Sequence, residues 1–376
     1  MKIALVVPGG VHRSGTENVI PCLLWLIERL ARDDEVHVFA LGQEDRPGEW
    51  PLFGARVHNA GARPRRLRTL AGLIAEHRRA RFDVVHAWWA AGPGAVAATF
   101  GRLTRVPVVL TLPGGDLTAL PDIGYGARLS WRGRLWTRAA IAGAYRVVVP
   151  SKWMRAQALA LGIETVRIPL GVALDRWPVS PPRCRRPGEP LRLVHVANLN
   201  RVKDQQTLIR ALAAVREEGL AFELDVIGLD TLGGAIQRLC EELGLHDGVR
   251  FHGFLPHAET RHWVERADLM LVTSRHETVP MVLPEAAVAG VPTIGTAVGQ
   301  ISDWSPAAAW AVPVGDSRAV SSAILALSRD EERRLDIALE AQRLAVAEDA
   351  DFTAAQTRAL YAGVSRSGGA GEKRLR

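Results

Sequence analysis

The sequence predicts an α/β protein made of two tandem Rossmann-like domains, each a doubly wound parallel sheet. Three observations carry this. Short β-branched runs alternate with helical periodicity, the alternation occurs in two series, and a proline-rich break separates them. Strand–helix alternation favours a parallel sheet covered by helices on both faces. A length of 376 residues suits two domains at roughly 150 residues each. That is enough chain for two hydrophobic cores without a metal or disulfide staple.

The elements follow in order. Residues 3–7 form an apolar run without polar alternation, as expected of a strand covered on both faces. Residues 18–31 place Ile20, Leu23, Leu24, Ile27 and Leu30 on one helical face. Strands are predicted at 36–41, 83–87, 106–112 and 146–149, separated by Ala- and Arg-rich helical segments. Between 178 and 190, five prolines and a glycine exclude an element interior, so 176–190 is predicted to be a linker between a first domain, 1–175, and a second, 191–350. In the second series the strands are 191–197, 222–227, 249–251, 269–273 and 292–295, and the helices are 204–218, 235–243 and 283–289. A helical tail follows residue 318, and 366–376 are expected to be disordered. Ligands of open parallel sheets sit outside the carboxyl ends of the strands, so two such domains are expected to face a cleft.

Composition narrows the class. Hydrophobic residues at 48% with 23% charged are ordinary for a globular protein. Cys22, Cys184 and Cys240 are scattered and odd in number, which argues for a reducing compartment and against a disulfide framework. The apolar amino terminus stops at Pro8-Gly9-Gly10 and reads as a buried strand, not a secretion signal. No run reaches the roughly 18 apolar residues of a membrane span. The expectation is a cytoplasmic protein, free or peripheral on the cytosolic membrane face. Net charge is +7, and from residue 128 to 155 there are seven Lys/Arg and no acid, with Trp131, Trp136 and Trp153 interleaved. Two readings stay open: a surface that docks on anionic lipid, or a solvated helix face with its tryptophans turned inward. No nucleic-acid-binding motif accompanies the charge, so nucleic acid is not expected as a partner.

The sharpest constellation is SRHETVPMVLPEAAVAGVP, residues 274–292. Glu277 falls in a loop after a predicted strand, and Glu285 lies eight positions on, in a predicted helix. The free amides at such a helix start attract diphosphate. A carboxylate there makes sense if it reaches past the phosphates to neutral hydroxyls, since hydrogen bonds to a charged acceptor contribute about 1.5–3 kcal/mol each.

This segment resembles the retaining glycosyltransferases of family four, of the GT-B fold, whose signature is Glu, seven residues, Glu, then Ala and Gly-Val-Pro. The resemblance implies that Glu277 contacts donor-sugar hydroxyls and Glu285 the nucleotide ribose, with Ala286, Gly290, Val291 and Pro292 completing the motif. Thr278-Val279-Pro280 replaces the family's usual Gly-Phe-Gly, and Pro280 has no N–H to offer a phosphate. Residues 197–212 resemble the family's diphosphate-binding Gly-Arg-Leu-x-x-x-Lys-Gly segment. Lys203 matches the lysine, Asn198 stands in place of the arginine, and Arg201 is the nearby cation that compensates. Residues 249–260, with Phe254, resemble the stretch bordering the base, and 168–178 the interdomain segment. The loop 8–20 resembles the glycine loop that closes over the donor, with Gly10 and Gly15 as its close-approach positions. The family's Thr-x-His-Gly histidine is absent from Thr111-Leu112-Pro113-Gly114-Gly115-Asp116. His86, read as a strand-end residue facing the cleft, is the substitute candidate, and Asp116 is a candidate to orient an acceptor hydroxyl or accept its proton. Both also read as structural residues, His86 packed in the fold and Asp116 in a turn.

The resemblance implies a hexosyltransferase-like enzyme that uses a nucleotide diphosphate sugar, retains anomeric configuration and needs no cofactor or bound metal. The acceptor would be a glycan, a lipid-linked saccharide or a small molecule, as in cell-envelope polysaccharide assembly. The first domain would be the acceptor side and the second would hold the donor. The tail, residues 351–365, would cross back to the first domain. Two alternatives stay open. A non-catalytic nucleotide-sugar-binding protein is motivated by Asn198, Pro280 and the missing histidine. An NAD-dependent oxidoreductase would require Gly-x-Gly-x-x-Gly, which Pro8–Arg13 does not supply.

Overall fold

The structure, a computed structural model, describes residues 1–186 and 188–369. It divides into two compact units, one comprising Met1–Gly171 with the C-terminal helix and the other Val172–Asp349. The first unit contains β1 (Lys2–Val7), α1 (Pro21–Leu30), β2 (Glu35–Ala40), β3 (Gly48–Leu52), β4 (Ala55–Asn59), α2 (Arg65–Arg79) and β5 (Val84–Trp88). It continues with α3 (Ala95–Thr104), β6 (Val108–Thr111), α4 (Trp131–Gly143), β7 (Arg146–Val149), α5 (Lys152–Ala160) and β8 (Val166–Arg167). Its sheet order is β3-β4-β2-β1-β5-β6-β7-β8, parallel except for the β3–β4 pair.

Every residue of β1 is buried, which explains its lack of polar alternation. Helix α1 begins at Pro21, three residues later than the periodicity suggests. Asn18 adopts φ 49° and Ile20 is extended, while the fixed φ of Pro21 suits the first helical position. The β3–β4 hairpin was not predicted. Its strands, GEWPL and ARVHN, mix charge with apolar residues, and its turn uses positive φ at both Phe53 and Gly54, as a tight two-residue hairpin requires. The core of this unit includes Val6, Phe39, Leu73, Phe100 and Leu110.

The second unit contains β9 (Leu191–Val196), α6 (Gln205–Glu217), β10 (Phe222–Ile227), α7 (Ala235–Glu242), β11 (Val249–Gly253), α8 (His257–Arg266) and β12 (Leu269–Val272). It ends with α9 (Val282–Val288), β13 (Thr293–Thr296), α10 (Gly299–Trp304), β14 (Trp310–Val312), α11 (Ser317–Arg329) and α12 (Glu331–Ala347). The strands pair in parallel in the order β11-β10-β9-β12-β13-β14. Leu208, Ile209, Leu212 and Val215 form the buried stripe of α6. Truncating one of them, such as Leu212→Ala, removes about 2–5 kcal/mol.

The proline-rich stretch 176–190 forms neither helix nor strand in its described residues, as its prolines dictate. It lies against the second unit. Ser180 N–H donates to Val288 O, Arg185 N–H donates to a Glu331 carboxylate oxygen, and Trp177 is 1% exposed. Compact grouping accordingly ends the first unit at Gly171.

The tail forms α13 (Ala350–Gly369), which groups with the first unit. It packs along α1, where the Arg29 guanidinium meets the Asp351 carboxylate at 3.0 Å. Residues 366–369, expected to be disordered, continue this helix, because nothing before the Gly-rich end interrupts its hydrogen bonding. Residues 370–376 lie outside the described residues. Among the described residues no helix is long and apolar enough to cross a membrane.

Candidate active site

Strand order locates the ligand ends. In the second unit the chain runs from β9 outward through β10 to β11, then returns to β12 and runs the other way. The gap beyond the carboxyl ends of β9 and β12 is therefore the topological switch point, where open α/β sheets bind ligands. Lys203 lies in the turn after β9 and Glu277 in the loop after β12.

The two meet there. Lys203 Nζ is 2.5 Å from Glu277 Oε1, and the Ser274 hydroxyl donates to the same oxygen at 2.6 Å. The Lys203 side chain is 28% exposed and that of Glu277 11%, so the pair is neither dry nor fully solvated. Sequence reading brought out both charged residues and passed over Ser274, whose hydroxyl opens the same segment.

The backbone around the pair is tied across the two strand ends. The Thr273 hydroxyl is 3.1 Å from the carbonyl oxygens of both Lys203 and Asp204, and Arg275 N–H donates to Val202 O at 2.7 Å. Asn200 Oδ1 accepts from the amides of Val202 and Lys203, closing the turn. Asp204, at φ 48°, then redirects the chain into α6.

Beneath the turn lies His195, on β9. Its Nδ1 donates to Leu271 O at 2.8 Å, which leaves Nε2 to accept from Gln205 Nε2 at 3.1 Å. Burial pushes the His195 pKa down to about 4, opposed by the bond to Leu271 O. The ring is thus a neutral strut at physiological pH. Gln205 also donates to Asn198 O, so the strut fixes both ends of the Lys203 turn.

Several expected donor contacts are engaged otherwise. Asn198 Oδ1 accepts from Leu229 N–H at 3.0 Å and braces the loop after β10, so that oxygen is committed to the fold. Arg201 is exposed, in the turn before Lys203. Glu285 is 3% exposed on α9, and its Oε1 accepts from His257 Nε2 at 2.8 Å. His257, at the start of α8, packs against Trp177 with ring centroids 4.8 Å apart. It lay unremarked in the stretch 249–260. Phe254 is 50% exposed, whereas Thr278 and Val279 are buried. Helix α9 has only seven residues and follows Pro280, which weakens the expected amide cradle, since the macrodipole grows with aligned peptides.

In the first unit the switch point lies between β1 and β5. The loop after β1 carries Gly10 and Gly15, both at positive φ. Their missing side chains make room for the loop itself. A Cβ on Gly10 would fall 2.5 Å from the Ile20 side chain, and one on Gly15 3.0 Å from the Phe53 ring, so the space serves the loop's own packing.

The strand-end reading of His86 is corrected. Strand β5 continues to Trp88, which leaves His86 in mid-strand and 3% exposed. Its two ring nitrogens lie 2.6 Å from the hydroxyls of Tyr361, on α13, and Thr111, on β6. Burial pushes its pKa down to about 3. It joins the C-terminal helix to the sheet.

Asp116 sits in a single 3-10 turn, Gly115–Leu117, after Gly114. It is 3% exposed, and its Oδ1 accepts from Ala90 N–H at 2.8 Å, bracing the chain just past β5. Burial raises its carboxyl to about 6, against the opposing pull of nearby backbone amides. The preceding Trp89 stands at φ 68°, a strained value for a bulky residue and invisible in the sequence pattern.

Among the described residues, Glu35, His37 and Glu76 place possible metal-ligand atoms within 4.8 Å of one another. The Lys2 ammonium already sits between these carboxylates, 2.8 Å from Glu76 and 3.1 Å from Glu35, and supplies the neutralising charge.

Two parallel-sheet α/β units are the architecture of a GT-B protein, and the family comparisons make it a glycosyltransferase. Residues 19–171 match the glycosyl transferase 4-like domain, and residues 190–330 match glycosyl transferases group 1. The chain belongs to this family, glycosyltransferase family four, and is an enzyme of glycosyl transfer. It is 26% identical over 296 residues to WcaL of Escherichia coli (strain K12), a glycosyltransferase assigned to colanic acid biosynthesis, covering 76% of this chain and 70% of that one. It is 28% identical over 279 residues to the N-acetyl-alpha-D-glucosaminyl L-malate synthase of Bacillus anthracis, covering 70% of each. In fold it resembles Anabaena HepE, solved in complex with UDP, with a TM-score of 0.74, 18% identity, and coverage of 96% and 100%. Both family matches name glycosyl transfer, which removes the oxidoreductase and binding-only alternatives.

Proposed function

We propose that the chain transfers a hexose from a nucleoside diphosphate donor, with retention at the anomeric carbon, to a glycan or lipid-linked acceptor in cell-envelope polysaccharide assembly. The observation that carries this reading is the Lys203–Glu277 pair at the switch point of the second unit. The ammonium and carboxylate neutralise each other until a donor separates their tasks. The diphosphate takes the ammonium, and sugar hydroxyls take the carboxylate, with Ser274 holding its orientation. As the glycosidic bond to phosphate lengthens, negative charge builds on the leaving diphosphate, and Lys203 stabilises it more strongly than it did the ground state. Positive charge for this step comes from Lys203 and Arg201. Glu285 and Phe254 form the nucleoside side of this reading, and Thr278 and Val279 line the sugar loop. Asp116 acts on the acceptor side by fixing the chain at Ala90. The names of HepE's ligand and of WcaL's pathway favour a uridine donor and an envelope glycan. The chain works from the cytoplasm at the membrane face, where lipid-linked acceptors are found.

The test is a thermal-shift panel of UDP- and GDP-sugars on the wild type and on Lys203→Ala. One donor at about 100 times its Kd adds about 2.7 kcal/mol to the unit that binds it, and the variant loses that gain. A panel without any shift overturns the donor assignment. Retention is checked by NMR of the product's anomeric proton, and an inverted product overturns it.

A further inference from the structure

We infer that the first unit carries a composite docking face for an anionic bilayer, formed by the start of α4, the turn before it and the start of α2. This deepens, and rests on, the reading above that the enzyme works at a membrane. In α4 and its approach, Trp131 is 63% exposed, Leu135 54%, Trp136 40% and Leu129 37%, while Thr137 and Ala140 face inward. Over its first two turns the helix therefore sets its large apolar side chains outward, the reverse of an ordinary solvated helix, and of its large apolar residues only Ile141, near its end, packs on the core. Between them stand Arg128, Arg132, Arg134 and Arg138, with no acid from 128 to 155.

The start of α2 belongs to the same face. Leu67 is 68% exposed, flanked by exposed Arg65, Arg66 and Arg68 in a stretch that also lacks acids. The Arg66 guanidinium lies 4.9 Å over the Trp136 ring and so links the two helices, and Arg132 lies 5.4 Å over Trp131. The far end of the basic run does not take part. Trp153 packs against the core cluster, and Arg146 stacks on Tyr145 at 4.6 Å. The face is thus 65–68 together with 128–138, and not the whole of 128–155.

Charge and side-chain type together select the occupant. Arginine pairs with lipid phosphate, while tryptophan and leucine enter the region just below the headgroups. A second copy of the chain, paired through the same face, would set arginine against arginine.

The experiment is co-sedimentation of the full-length protein with phosphatidylcholine vesicles, with and without phosphatidylglycerol. Binding is expected only with phosphatidylglycerol, falling as salt rises. Each of Arg66→Ala, Arg132→Ala and Arg134→Ala lowers the partition coefficient about fivefold, the equivalent of about 1 kcal/mol per basic residue. Trp131→Ala and Leu135→Ala also weaken binding but keep its salt dependence, and Arg155→Ala leaves it unchanged. Absence of phosphatidylglycerol-dependent binding, or binding by the α4 and α2 arginine variants equal to that of the wild type, overturns the inference. So does a concentration-dependent dimer that Leu135→Glu dissolves while vesicle binding persists. The same variants are run in the donor thermal-shift panel. Lost vesicle binding with an intact donor shift is the expected result. A missing donor shift with intact vesicle binding counts against the proposed donor and not against the docking face.

Discussion

The two units treat the carboxyl ends of their central strands in opposite ways. In the second unit the switch point holds Lys203 and Glu277, paired with each other yet reaching solvent. In the first unit the polar residues near the corresponding strands, His86 and Asp116, are each 3% exposed and bonded into the fold. All four are residue types suited to catalysis. What separates them is how their polar atoms are engaged. A buried group bonded to structural partners holds the protein together, as His86 does through both ring nitrogens and Asp116 through Oδ1, while one paired at a solvent edge can exchange that partner for a ligand.

Four substitutions would sharpen or break this contrast. The largest effect is expected for Glu277→Gln. It keeps the shape and the Ser274 contact but removes the charge, so kcat/KM falls about a thousandfold with a near-constant melting temperature. A loss of stability equal to the loss of activity would place Glu277 with the structural residues. His86→Ala should do the converse. It strands the Tyr361 and Thr111 hydroxyls and opens a cavity, at a cost of about 3 kcal/mol by calorimetry, while kcat per folded molecule stays within about twofold. A large fall in kcat without destabilisation would erase the contrast.

Asp116→Asn tests the cost of burying a carboxyl. The folded group holds its proton up to about pH 6, whereas its reference value is 3.8. Between those values the native state binds more protons than the unfolded one. The stabilisation is therefore fully present below pH 3.8 and is lost as pH rises to about 6, a total of ~3 kcal/mol. Denaturation curves at pH 4 and pH 7 should show this decline in the wild type and not in the variant. Arg201→Ala is expected to have the smallest effect, raising the donor KM several-fold with little change in kcat, because the side chain is exposed and its charge is screened. An unchanged KM removes it from the donor site.

The fold was legible where the signal is periodic. The fully buried β1 and the apolar stripe of α6 announce themselves, and the alternation of such segments gives two parallel sheets. The β3–β4 hairpin was not legible, because edge strands carry charge and its turn depends on positive φ at Phe53, a residue with no turn preference. In the candidate site, Lys203 and Glu277 were legible through motif spacing, although their contact joins positions 74 residues apart. His195, Gln205 and Thr273, which fix that contact, were not. Their task is set by partners on neighbouring strands, and strand order is not written in local sequence. His86 misled because it was read as a strand end, whereas β5 runs on through Ala87 to Trp88 and leaves it in mid-strand.

The C-terminal helix has a consequence for how the chain is made. Tyr361 is wholly enclosed beside His86, and the Thr353 hydroxyl donates to Pro169 O, so α13 completes the first unit although it is synthesised after the whole of the second. At roughly 5–20 residues per second, some 10–40 seconds separate Gly171 from the first turn of α13 on the ribosome. During that interval the half-built unit exposes the apolar surface that the helix later covers, and the cell has to shield it from neighbours until α13 emerges.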